Sequence, residues 1–206
     1  MSEFFSAAGA FLRDMFVYSM IAIFLENTIF SRGIGTSTAL FATRKKYSVL
    51  LLGIIMTVIV SVSAVIVYFI FPYLKQLSFS YYVIPPVYVA VIGLTYVGAL
   101  LFTHRFVKKR KEEVLSIIHI DAFNCAVLGA LMLATNNASG SFGAFLGFAA
   151  GTAIGFTLAA YFIGIAYERL SSEAVPKPFR GFPITLIYIG LVSLAMYGLI
   201  GHELPF

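Results

Sequence analysis

The chain has 206 residues, of which 60% are hydrophobic and 11% charged. A soluble domain carries about 25% charged residues, so a water-soluble globule is excluded as the class. The net charge of +5 does not point to nucleic acid, because the basic residues gather in short segments between apolar runs, where they report topology.

Six apolar stretches fill most of the chain, at about residues 15–36, 47–73, 82–103, 114–134, 141–167 and 182–201. About 20 apolar residues suffice for a helix to cross a hydrocarbon core of about 30 Å. Barrel strands would alternate apolar and polar residues, and these runs do not. The expected fold is an all-α integral membrane protein with six transmembrane helices in a single domain. Residues Met1 to Asp14 precede the first stretch and carry no cleavable signal pattern.

Basic residues mark alternate connections. The first holds Arg44, Lys45 and Lys46, the third Arg105, Lys108, Lys109, Arg110 and Lys111, and the fifth Arg169, Lys177 and Arg180. The second has only Lys75, and the fourth, Thr135 to Ser141, has no charge. Positive residues stay on the cytoplasmic side, which predicts both termini outside a prokaryotic cytoplasmic membrane. Three stretches per half make any duplication inverted, with one repeat at about 1–104 and the other at about 112–206. The first stretch of each half carries a polar interruption, Glu26-Asn27 in one and Asp121 with Asn124-Cys125 in the other. Broken helices of this kind, meeting near the midplane, build sites inside a bilayer.

The fifth stretch spaces Gly143, Gly147, Gly151 and Gly155 four apart, on one helix face suited to close packing within the chain or against a partner. Ionisable side chains inside a span are costly and mark function. Glu26, Arg32, His119 and Asp121 qualify. Arg32 lies deep in the first stretch and is either such a functional group or a counter-ion for Glu26 or Asp121. Asp121 and Cys125, four apart, would share a helix face. A lone cysteine in an apolar helix is most often a small hydrophobe, and one thiol excludes an internal disulfide. Phosphate loops, dinucleotide fingerprints and Ser–His–Asp constellations are absent from the sequence. Asn137-Ala138-Ser139 matches a glycosylation pattern, but so short a pattern recurs by chance.

Four separated patches carry a family resemblance. They are Phe24-Leu25-Glu26-Asn27 continuing through Gly35 to Thr43-Arg44-Lys45; Asn124-Cys125-Ala126-Val127-Leu128-Gly129; Gly155-Phe156-Thr157-Leu158 with Glu168-Arg169-Leu170; and Val175-Pro176-Lys177-Pro178-Phe179-Arg180-Gly181 running into Gly190-Leu191 and Ser193-Leu194-Ala195. In order and spacing the chain resembles the membrane subunits of the Rnf/Nqr family. The resemblance is to the RnfA/NqrE type, found in the Rnf complex and in the Na⁺-translocating NADH:quinone reductase.

The resemblance implies a six-helix subunit of an ion-translocating electron-transport complex, not catalytic alone. It would pair with a homologous, oppositely oriented partner of the RnfE/NqrD type, alongside other Rnf/Nqr-like subunits and membrane lipid. It also implies a [2Fe–2S] cluster shared with that partner, to which each of the two chains gives two cysteines, and electron transfer coupled to Na⁺ or H⁺ movement. Cys125 matches the second family cysteine and is the expected metal ligand. The first falls at Ser37, and a serine oxygen is a poor soft-metal ligand beside a thiolate. A cluster would then need a substitute ligand such as Ser37, Asp121 or His119, or a partner that fills the gap, or it is lost; loss or alteration is the expectation. Glu26, Asn27, Asp121, Asn124, His119 and Arg32 would line the central polar site or ion path, with Glu26 or Asp121 holding a cation. The alternatives are a cluster-free assembly role and a six-helix substrate-binding or transport role.

Overall fold

The computed structural model describes residues 2–44, 48–108, 110–173 and 175–200. Lys45, Lys46 and Lys109 of the basic connections lie outside these residues. Every regular element among the described residues is helical. In chain order they are α1 (Ser2–Met20), which continues as a π-helical turn over Ile21–Leu25, α2 (Thr36–Arg44), α3 (Val49–Lys75), α4 (Ser80–Phe106), α5 (Lys111–Ala122), α6 (Cys125–Asn137), α7 (Phe142–Leu170) and α8 (Phe182–Ile200).

Among the described residues, four helical segments are long and apolar enough to cross a membrane: Phe5–Leu25, Val49–Lys75, Ser80–Phe106 and Phe142–Leu170. A fifth span is made if α5 and α6, bent by 51° at their junction, count as one. The apolar part of α8, Phe182–Gly198, is shorter. The chain is therefore an all-helical, multi-pass membrane protein. Its outer surface is lined by apolar side chains such as Leu50, Ile54, Val58, Leu101 and Phe102, as a lipid-facing surface requires.

The second, third and fifth expected stretches coincide with α3, α4 and α7 to within a few residues. The first is displaced. Its helix begins at Ser2, about thirteen residues before the expected start, and stops at Leu25 instead of running to residue 36. Arg13 and Asp14 read as a boundary in sequence, yet they lie inside the helix. There they pair with each other at 3.0 Å, and Asp14 also accepts a hydrogen bond from Ser141 Oγ at 3.0 Å. Internal neutralisation lets both charges sit on a membrane helix.

α7 is the central helix, and α1 lies along its glycine face. A Cβ on Gly143 would stand 2.6 Å from the carbonyl oxygen of Phe11, and one on Gly151 would stand 2.6 Å from Cα of Ser19. Gly147 and Gly155 meet Met15 and Ile23 backbone in the same way, at 2.7 and 3.0 Å from Cα. The spacing of four on α7 thus matches the spacing of four on α1, and the two backbones touch. The glycine face serves packing within this chain. Ser141 caps α7 by accepting from Ala144 N at 3.1 Å, which fixes where the helix starts.

Candidate functional site

Both polar interruptions are places where a helix breaks. After Leu25 the chain leaves the helix, and residues 27–34 form tight turns before α2 begins. Asn27 holds this break. Its Nδ2 donates to the carbonyls of Ile23 and Gly155, each at 3.0 Å, and its Oδ1 accepts from the N–H of Ile29 at 3.1 Å and Phe30 at 3.2 Å. A membrane interior supplies no water for freed backbone groups, so one amide side chain supplies both donors and acceptors.

Asn124 plays the matching part between α5 and α6. Its Oδ1 accepts from Ala126 N at 3.0 Å and caps α6. Each asparagine thus accepts from the N–H two residues ahead of it. The breaks pack on one another at Gly35, whose φ of +82° suits glycine. A Cβ there would meet Ala126 Cβ at 2.8 Å and Asn124 Oδ1 at 3.3 Å. One turn on, Ile34 lies against Gly129. The start of α2 and the first turn of α6 approach at this point, through Gly35 and Ala126.

The charged and titratable residues of the expected site divide into two sets. One set is exposed. Arg32 Nη2 donates to Glu26 Oε2 at 2.6 Å and Nε donates to the same oxygen at 2.9 Å, with the side chains 45% and 29% exposed. Arg32 therefore answers Glu26, not Asp121. It also sits in the turns after the helix rather than deep in a span. Ser37, His119 and Cys125 are exposed. Tyr96 of α4 joins this set, since its hydroxyl bonds His119 Nδ1 at 2.7 Å and its ring lies 5.3 Å from that of Phe123. Tyr96, Phe123, Asn124 and Cys125 border an open groove of about 300 Å³.

Asp121 belongs to the other set. It is 0% exposed, and neither carboxyl oxygen has a hydrogen-bond partner. Asp121 and Cys125 do not share a face, because the helix breaks between them: one is buried and the other exposed. Nothing along the chain singles out Tyr96, one tyrosine among many in an apolar helix, or Thr28, whose buried hydroxyl also lacks a partner.

The donor set does not fit a two-thiolate half-site for an iron–sulfur cluster. Such clusters are held by thiolates, with imidazole as the attested substitute. The exposed candidates are one thiol, one serine hydroxyl and a histidine whose Nδ1 is engaged by Tyr96. Among the described residues no group of three or more His, Cys, Asp or Glu side chains is placed to hold a metal ion.

A bundle of apolar helices with two asparagine-held breaks that pack together, one after the first helix and one between α5 and α6, defines an integral membrane protein with buried polar groups at that junction. Comparison with known proteins gives the family. The family described as "Rnf-Nqr subunit, membrane protein" matches residues 15–202, and the chain belongs to it. Among similar proteins, the RnfA-type subunit of the Na⁺-translocating ferredoxin:NAD⁺ oxidoreductase complex of Acetobacterium woodii is 28% identical over 195 residues, covering 91% of this chain and 98% of that protein. The corresponding subunit of an ion-translocating oxidoreductase complex of Vibrio vulnificus is 26% identical over 183 residues, covering 87% and 93%. The NqrE-type subunit of the Na⁺-translocating NADH-quinone reductase of Psychrobacter cryohalolentis is 25% identical over 183 residues, covering 84% and 90%.

Proposed function

We propose that this chain is a membrane subunit of an ion-translocating oxidoreductase complex and works with other Rnf/Nqr-type subunits. The observation that carries this is the family match over residues 15–202. Relatives named as subunits of the ferredoxin:NAD⁺ and NADH-quinone enzymes align along nearly their whole length. The finer reading is a six-span subunit of two inverted repeats in a cytoplasmic membrane, both termini outside, beside an oppositely oriented homologue of the RnfE/NqrD type. The like use of Asn27 and Asn124, each capping the N–H two residues ahead, supports the repeat. The basic connections support the orientation.

The exposed polar face supports a partner. Arg32, Glu26, Ser37, His119 and Cys125 sit near the helix breaks, and charged groups at membrane depth belong against protein or a water-filled cavity. Within the chain, Glu26 is committed to Arg32, which leaves Asp121 as the acid of the ion path. The membrane relay is altered relative to a four-thiolate cluster, since Ser37 replaces one thiol. A cluster-free assembly role is the second reading, favoured by that same donor set.

The test is purification of the native complex through a tag on this chain, with iron content and low-temperature EPR, wild type beside Cys125→Ser. Co-purifying Rnf/Nqr-type subunits are expected. A chain that comes away alone, with no partner, would overturn the subunit reading. A [2Fe–2S] signal lost in Cys125→Ser would establish an electron carrier with one unusual ligand; an iron-free complex would favour the assembly role.

A further inference from the structure

Buried polar atoms in folded proteins are almost always hydrogen-bonded, and exceptions call for water, an ion or a function. Four buried side-chain atoms among the described residues lack a partner: Thr28 Oγ1, Asp121 Oδ1, Asp121 Oδ2 and Asn124 Nδ2. All four belong to the two helix breaks. Those breaks pack on each other at Gly35, which touches Asn124, and Ile34 N bonds the Thr28 carbonyl at 2.8 Å. Asp121 and Asn124 are joined by one turn, with Asn124 N on the Asp121 carbonyl at 3.0 Å. The buried side-chain atoms without a partner among the described residues thus all fall at these two breaks.

We propose that this junction is a proton-binding site, in which Asp121 is held as the neutral acid and exchanges its proton through water lodged with Asn124 and Thr28. An ionised carboxylate without a donor or counter-ion is the costliest group to bury. Arg32, of the first break, is bound to Glu26. The other titratable groups on the packed helices are placed elsewhere. On α3, Tyr68 packs its ring at a tilt against Phe142 and Phe145, and Tyr73 and Lys75 lie at the helix end. On α4, the hydroxyls of Tyr88 and Tyr96 bond Thr135 and His119, and His104 and Arg105 fall in the last turn. On α5, Lys111, Glu112 and Glu113 lie in the first turn and His119 faces outward; on α6, Cys125 is exposed. None forms an ion pair or hydrogen bond with Asp121.

The orphan atoms also choose between a proton and a metal cation. A hard cation needs a shell of several oxygens. The junction offers a single carboxylate and a hydroxyl, together with an Asn124 Nδ2 whose hydrogens would point at the ion. Asn124 cannot turn its oxygen inward, because Oδ1 caps α6 through Ala126 N. A water molecule accepts from Nδ2 and from a protonated carboxyl and donates to Thr28 Oγ1, which meets three of the four orphans; the carboxyl's second oxygen would accept from a further water. A buried water of this kind commonly makes about three hydrogen bonds.

This inference deepens the reading of the chain as part of an ion-translocating complex by naming the ion, and its test does not require that complex. The chain has two aspartates, Asp14 and Asp121. The full chain, carrying ¹³C in the aspartate side-chain carboxyl, is compared by infrared spectroscopy at pH 7 with Asp121→Asn labelled in the same way. The protonated-carboxyl stretch is expected in the wild type, absent from Asp121→Asn, retained in Asp14→Asn and unchanged by saturating NaCl. A wild type showing only carboxylate stretches at pH 7 overturns the proposal. So does a protonated band that NaCl abolishes, since that marks a sodium site. Failure of the chain to co-purify with other subunits would overturn the functional reading but leave this band in place.

Discussion

Replacing Gly151 with alanine tests the α1–α7 packing on which the first helix break depends. The new Cβ would stand 2.6 Å from both Cα and O of Ser19. These are backbone atoms, so no side chain can swing away and α1 itself must shift. Overpacking costs about 1–3 kcal/mol, with contacts of this rigidity at the upper end. Alanine recovers about 0.8–1 kcal/mol of helix propensity. The net expectation is a loss of about 2 kcal/mol, more than a tenfold change in the folding equilibrium. Gly98→Ala is the matched control, because nothing lies within 4 Å of a Cβ there. That substitution is expected to be neutral or to stabilise by up to about 1 kcal/mol. Thermal unfolding of the two variants in one detergent reads the difference directly. If Gly151→Ala were as stable as Gly98→Ala, the backbone contact between α1 and α7 would be wrong, along with the inward reading of the glycine face.

Asn27→Leu removes the acceptor for the buried N–H groups of Ile29 and Phe30 and the donor to Ile23 and Gly155. Each buried N–H left without a partner costs about 1–3 kcal/mol, so the variant is expected to lose most of its folded yield by fluorescence-detected size exclusion. Wild-type yield and melting temperature would show that the break does not depend on this side chain. Tyr88→Phe deletes the 2.7 Å bond to Thr135, while Thr135 keeps its bond to the Leu131 carbonyl at 2.8 Å. A loss of about 1 kcal/mol in detergent unfolding is expected. A loss several times larger would mean that Tyr88 supports more than this one bond.

The parts of the fold that were legible in the sequence are those set by composition over a whole element. α3, α4 and α7 follow from long apolar runs bounded by polar or basic residues. The two breaks were legible because Glu26-Asn27 and Asp121 with Asn124 interrupt such runs. The start of α1 was not, because Arg13 and Asp14 neutralise each other and use Ser141, a partner 127 residues away. The spacing of four in Gly143 to Gly155 showed that a backbone would approach, but not which one. The same limit applied to Arg32: Glu26 and Asp121 were both available as counter-ions until the break placed Glu26 against it. Reading Asp121 and Cys125 as one face assumed an unbroken helix, and the Asn124 cap separates them. The orphaned polar atoms are invisible to any reading along the chain, since they are defined by what the other break fails to supply.

A role in ion translocation is tested most directly in sealed inside-out membrane vesicles from cells with and without this chain. Ion uptake is driven in turn by the electron donors named for its relatives, NADH and reduced ferredoxin. Donor-driven uptake is expected to disappear without the chain and to return when it is restored. Uptake of the same rate and extent without it would contradict that role.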